Sequence, residues 1–326
     1  MAERASIRFR YRGQTVELDD FAPTDTLLDW LRLYQHAMGT KEGCCEGDCG
    51  ACTLAIGTLR GGKVVYEPVN ACILLLGMID GKELVTVDDL ARDGSLHPVQ
   101  QAMVDAHGSQ CGFCTPGFVM SLFTLYHRGG SANRSVVNDQ IAGNLCRCTG
   151  YRPIAEAALK VCSGTPSDAW SAAAGASANN LIELDDAEDV FIGNTDSFFA
   201  APASEGSLAT LYNLHPDATL VGGATDVGLW ITKQLRSLPK IIHTGRVKSM
   251  HTITYSADSL SIGAAATYGE CEEALAGIDP DVGELLRRLG SKQVRASGTV
   301  GGNIANGSPI GDMPPALIAL DARLHL

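Results

Sequence analysis

Polar and apolar residues alternate at the start of the chain. Ile7, Phe9 and Tyr11 are separated by arginines, and Thr15-Val16-Glu17-Leu18 follows after Arg12-Gly13-Gln14. A period of two with a short glycine-containing turn predicts a β-hairpin with one buried face. Leu27, Leu28, Leu31 and Tyr34 then recur at helical spacing up to Gly39, with Thr24 or Asp25 as the capping residue. A cysteine-rich loop comes next, then a short strand at 53–56 and a β-rich return through Val64-Val65-Tyr66. Residues 1–84 thus read as a small α+β unit wrapped around a cysteine loop.

From about Asp88 the pattern turns helical. Pro98, Pro116 and Pro153 each stand where a first-turn proline belongs, since the missing N–H has no helical partner there. Helices are predicted over 98–107, 116–127, 135–142 and 153–162, a small bundle with cysteines at its connections. Residues 163–180 are rich in Ala, Ser, Gly and Asn and carry little apolar periodicity. They predict an extended linker, and the charged stretch 183–189 extends it or forms a solvated edge. After Phe198-Phe199 an α/β-type unit begins, with strands expected at 219–221 and 259–262. The resulting division is 1–84, 85–163, a linker at 164–192, and 193–326.

The 326 residues are enough for two or three domains. The N-terminus lacks the apolar core of a signal peptide, and no run of about 18 apolar residues offers a membrane span. A cytoplasmic location follows as the expectation. Thiols stay reduced there, so the 11 cysteines, an odd number, are more consistent with metal binding than with disulfides. The net charge of −12 has the wrong sign for a phosphate-backbone binder, so no nucleic-acid partner is expected.

Eight of the cysteines form two quartets. Cys44, Cys49, Cys52 and Cys72 follow the C-x4-C-x2-C spacing of plant-type [2Fe-2S] loops, with Gly43, Gly47 and Gly50 among them. Glycine lets such a loop turn tightly and aim N–H groups at sulfur, which stabilises the added charge of a reduced cluster. Cys111, Cys114, Cys146 and Cys148 form C-x2-C and C-x-C pairs, each leading toward a predicted helix N-terminus, where the helix dipole favours an anion. Four thiolates also suit zinc, and a non-catalytic zinc-binding interaction module is the alternative reading. Cys45 is a bystander beside Cys44, and Cys162 and Cys271 read as buried structural thiols. None of the eight histidines forms a ligand-like pair, and His97 reads as a helix-start residue.

Two glycine runs lie in the third unit, Leu220-Val221-Gly222-Gly223-Ala224-Thr225-Asp226-Val227-Gly228 and Thr299-Val300-Gly301-Gly302-Asn303-Ile304. Neither is a dinucleotide fingerprint or a P-loop. They read equally as ordinary tight turns or as loops that bring N–H groups to a pyrophosphate.

With these residues in view, the chain resembles the small iron–sulfur and flavin subunits of bacterial xanthine dehydrogenases, within the molybdenum hydroxylase (xanthine oxidase) family. The motifs that carry the resemblance are Gly39-Thr40-Lys41-Glu42-Gly43-Cys44 through Cys49-Gly50-Ala51-Cys52-Thr53, Asn70-Ala71-Cys72, Gln110 through Gly117, and Gly143 through Pro153. It implies an α+β multidomain fold: a β-grasp ferredoxin-like domain, an all-α four-helix [2Fe-2S]-binding domain, and an α+β FAD-binding domain of the vanillyl-alcohol-oxidase type. It also implies Cys44, Cys49, Cys52 and Cys72 as ligands of one cluster and Cys111, Cys114, Cys146 and Cys148 as ligands of a second. Gln110 would contact molybdopterin. Leu220, Val221, Gly222, Gly223, Ala224, Thr225, Asp226, Val227, Leu289, Thr299, Gly302, Asn303, Ile304 and Asp312 would contact FAD.

The implied function is electron transfer. Hypoxanthine and xanthine would be oxidised to urate at a molybdopterin on a large partner subunit, in a heterotetramer of two large–small pairs. Electrons would pass through both clusters to FAD and then to NAD, with no catalytic residue on this chain. Sibling enzymes acting on aldehydes, carbon monoxide or N-heterocycles are the alternative. Residues 322–326 read as the start of a strand without its closing turn, so the chain is expected to be a fragment or a truncated form, its flavin domain incomplete.

Overall fold

The computed structural model describes residues 3–326. The predicted hairpin is present: β2 (Ile7–Tyr11) pairs antiparallel with β3 (Gln14–Leu18), following β1 (Glu3–Arg4). Arg12 and Gly13 close it with φ of 52° and 75°, the left-handed pair that matches strand twist. The helix α1 covers Leu27–Asp29 and continues as a π-helical turn through Tyr34. Its cap is Thr26, whose hydroxyl accepts from the Asp29 N–H, and not Thr24 or Asp25. Strands β4 (Thr53–Arg60), β5 (Lys63–Asn70) and β6 (Glu83–Val85) complete a mixed sheet of order β3-β2-β6-β4-β5, the β-grasp arrangement.

Four helices follow close to their predicted positions: α2 (Pro98–Asp105), α3 (Thr115–Arg128), α4 (Arg134–Ile141) and α5 (Arg152–Val161). They share a core of Val99, Phe118, Leu122, Phe123, Val137, Ile154 and Ala158. The segment predicted as an extended linker departs from expectation. Ala169–Leu184 is a 16-residue helix, α6, capped by Asp168. Alanine has the highest helix propensity, and tertiary contacts replaced the missing apolar stripe: Trp170 packs on Phe123 and His97.

The third unit opens with β7 (Asp189–Gly193) and β8 (Phe198–Ala201), then α7 (Glu205–Leu214), β9 (Thr219–Val221), α8 (Val227–Thr232) and β10 (Lys240–His243). Its sheet runs β1-β7-β8-β10-β9, so the first described residues of the chain add a strand to the last unit. A hairpin of β11 (Ile253–Tyr255) and β12 (Leu260–Ile262) precedes α9 (Tyr268–Ala276), α10 (Pro280–Arg288), α11 (Lys292–Ser297), α12 (Val300–Asn306) and α13 (Met313–Ala319). Residues 322–326 form no strand.

The units are not beads on a string. Phe9, Leu31, Leu54 and Leu75 of the first share one core with Val190, Phe199, Val221 and Ile241 of the third. Arg4 of β1 bridges to Asp80 at 2.9 Å, and Arg246 of the third unit bonds both Asp80 and Asp186, tying the first unit to the third.

Candidate metal and cofactor sites

The loop between α1 and β4 carries Cys44, Cys49 and Cys52, and the turn after β5 brings Cys72 to them. The Cys44 N–H points at Cys49 Sγ (3.4 Å) and the Cys49 N–H at Cys44 Sγ (3.3 Å). The Cys72 thiol interacts with those of both Cys44 and Cys52. Those donors bring Cys44 down to about 4, the Cys72 thiol acting most strongly and burial opposing it. Gly50 has φ +68°, and a Cβ there would overlap the Gly143 carbonyl and the Asn144 amide. Cys45 turns away: its thiol faces Glu42 (3.2 Å), and burial and that carboxylate push it up to about 12.

The second quartet sits at two helix starts. Cys114 is the N-cap residue of α3, and Cys146 and Cys148 precede α5. The Cys148 and Thr149 N–H groups and the Thr149 hydroxyl all aim at Cys146 Sγ, at 3.4, 3.4 and 3.2 Å. Against the effect of burial, they lower that thiol to about 7. Cys114 interacts with Cys146 and Cys111 with Cys148, so the four thiols lie together, a set of four donors suited to a [2Fe-2S] centre. All eleven cysteines are free, so no disulfide competes for them. Gln110, Cys111 and Cys148 are exposed, and Phe113 and Leu145 add apolar surface beside them.

The quartets are neighbours. The Leu145 N–H, one residue from Cys146, donates to the Cys49 carbonyl at 2.9 Å. On the other side, α8 leans on the first loop: Gly228 packs against Ile73, and the Thr232 hydroxyl donates to the Cys45 carbonyl (2.7 Å).

Because α8 begins at Val227, the run Leu220–Val227 ends beside the first quartet. The two glycine runs also meet one another. A Cβ on Gly222 would crowd Thr299, and one on Gly223 would overlap the Ser297 carbonyl oxygen. Thr299 caps α12, its hydroxyl accepting from the Gly302 N–H (3.0 Å). Asn303 Oδ1 and the Tyr268 hydroxyl are buried without a hydrogen-bond partner, polar atoms that a bound flavin can satisfy. Burial raises the Asp226 carboxyl, while Asp226 and Asp312 both act electrostatically on Tyr268. Ile304 packs against the core of Ala266, Tyr268 and Leu289, where Leu289 is itself a buried member whose carbonyl holds Arg295 (2.9 Å).

One constellation escaped sequence reasoning. His97 Nε2 and His127 Nε2 both meet Asp168 Oδ2, at 2.7 and 2.8 Å. These three donors lie within 4.8 Å of one another, close enough for one ion. However, His97 Nδ1 accepts from the Val99 N–H, so its ring proton sits on Nε2 and leaves no lone pair there for a metal. The group is a hydrogen-bonded strut. Residues this far apart in sequence gave no spacing signal.

Fold and sites together define an iron–sulfur flavoprotein module. Residues 86–159 match the [2Fe-2S] binding domain family, and residues 194–326 match the FAD binding domain in molybdopterin dehydrogenase. The chain is 28% identical to a xanthine dehydrogenase of Blastobotrys adeninivorans and 31% identical to the xanthine dehydrogenase/oxidase of Mus musculus, with 98% of the chain covered in each. It is 28% identical over 99% of its length to aldehyde oxidase 1 of Bos taurus. It spans 30%, 27% and 28% of those three relatives. The chain belongs to the molybdenum hydroxylase family, of which it represents the iron–sulfur and flavin portion.

Among the described residues, no helix is long and apolar enough to cross a membrane.

Proposed function

We propose that this chain is the electron-transfer portion of a cytoplasmic xanthine dehydrogenase, oxidising hypoxanthine and xanthine at a molybdopterin carried on a partner subunit, with NAD as final acceptor. When bound, two [2Fe-2S] centres and FAD supply the redox chemistry, and the protein supplies spacing and electrostatics. Cys44, Cys49, Cys52 and Cys72 would hold one centre, and Cys111, Cys114, Cys146 and Cys148 the other. The runs Leu220–Val227 and Thr299–Ile304, with Asp312, would hold FAD, and Leu289 would support it from the core.

The observation that carries this reading is the order of the sites. The quartet nearer the surface, with Cys111 and Cys148 exposed and Gln110 at its edge, touches the deeper one, whose Cys52 and Cys72 are buried, through the bond from Leu145 to Cys49, and that quartet touches the first glycine run through α8. This is a chain of neighbours leading inward from a surface suited to the molybdopterin partner. The choice of purine rests on the relatives named xanthine dehydrogenase. The aldehyde oxidase relative supports a second reading, in which the same relay serves an aldehyde-oxidising sibling.

The test is co-purification with the molybdopterin-bearing partner, followed by assay with xanthine, aldehydes, carbon monoxide and N-heterocycles. Xanthine-dependent reduction of NAD supports the first reading. Turnover of aldehyde with none of xanthine would replace it with the second.

A further inference from the structure

Where the three units meet, they enclose a buried polar cluster: Thr53, Ser121, Asn144 and Gln293 are each at most 1% exposed. Thr53 follows the ligand Cys52, Asn144 precedes Cys146 by two residues, and Gln293 comes from α11 of the flavin unit. The Gln293 amide nitrogen lies 3.1 Å from Thr53 Oγ1, 3.1 Å from Asn144 Oδ1 and 3.3 Å from Ser121 Oγ, its two hydrogens shared among the three acceptors. Asn144 in turn donates to the Gly50 carbonyl (3.1 Å) and to Thr53 Oγ1 (3.2 Å). Its next residue, Leu145, makes the bond to Cys49.

The contact between the two cysteine loops is therefore held from a third body. Gly143 has no room for a side chain because Gln293 Oε1 and Ser291 occupy that space. Gln293 Oε1 itself is buried without a partner, an arrangement that costs stability. The rest of the fold sustains that cost to keep the amide donor in place.

We propose that Gln293 is a positioning residue for electron transfer between the two clusters, fixing from the flavin unit the separation of Cys49 and Cys146. The proposal rests on the relay reading. Rigid placement matters because tunnelling falls exponentially with distance, and preorganised sites lose function on displacements of about 1 Å.

The test compares the full chain, loaded with iron, sulfide and flavin, with Gln293→Leu, which removes the donor at similar volume. Thr53→Val removes the opposing hydroxyl, and Arg295→Lys is a control that perturbs the same helix without touching the cluster. The readouts are cofactor content, the magnetic coupling between the two reduced clusters, and the intercluster electron-transfer rate after rapid reduction. Gln293→Leu is expected to keep both clusters and flavin but weaken the coupling and slow the transfer by about tenfold or more. Thr53→Val should show a smaller effect in the same direction, and carries the test alone if Gln293→Leu does not fold. Arg295→Lys should leave the coupling unchanged. Unaltered coupling and rate in a loaded Gln293→Leu or Thr53→Val protein overturn the proposal. Absence of iron from the unsubstituted protein would instead overturn the relay reading itself.

Discussion

Cys45 sits at φ +55°, in the left-handed region where a side chain normally costs about 1 kcal/mol or more and glycine costs nothing. Its thiol faces Glu42 and not the other sulfurs. Cys45→Gly is accordingly expected to leave iron and sulfide content unchanged and to raise stability by about 1 kcal/mol in chemical denaturation. Cys49→Ser should lose the centre held by the first quartet. Iron loss on Cys45→Gly comparable to that on Cys49→Ser would reassign the ligand. At this scale the short cysteine spacings marked which thiols the fold gathers into two groups, because residues close in sequence are easily brought to one loop. The sequence was silent on Asp168, Gln293 and Asn144, whose partners come from distant parts of the chain.

Among the elements, α2 to α5 lie within two residues of their expected ends, three of them marked by a first-turn proline. The helix α6 was not expected, because its alanine-rich stretch has no pattern of its own and is held by partners. Those partners include Arg92 stacked on Trp170 at 4.2 Å and the Asp168 strut. The strut predicts that Asp168→Ala, which strips the α6 cap and leaves two buried imidazole donors without an acceptor, destabilises the protein by on the order of 3 kcal/mol. Amide exchange should rise selectively over 169–184. Because His97 Nε2 carries the proton, added zinc should give no stabilisation that disappears in this variant; a zinc-dependent rise in Tm lost on Asp168→Ala would show a metal site instead.

Across the whole molecule, the first and third units are joined by ion pairs that local pattern cannot reveal. Arg60 on β4 bonds Glu67 (2.6 Å) and approaches Glu270 of α9 (3.3 Å). Burial opposes ionisation of Glu270, yet His251, the Thr267 N–H and Arg60 bring its carboxyl from 4.5 down to about 2. A depressed carboxyl contributes stability above its ordinary value and loses it as pH falls toward the folded value. Stability should therefore drop between about pH 5 and pH 2, with Glu270 supplying on the order of 2–3 kcal/mol of that loss. Urea midpoints measured across this window should vary less in Glu270→Gln. An equally steep dependence in the variant would assign the acid sensitivity elsewhere.

The relay through two cysteine-held centres is the claim on which the functional account depends, and its most direct measurement is quantitative. Metal and sulfide analysis of the purified chain, joined to spin counting after full reduction with dithionite, should give about four iron and four sulfide per chain and about two unpaired spins, in two distinguishable signals. Zinc in place of iron, or a single signal integrating to about one spin in protein with both quartets intact, would contradict it.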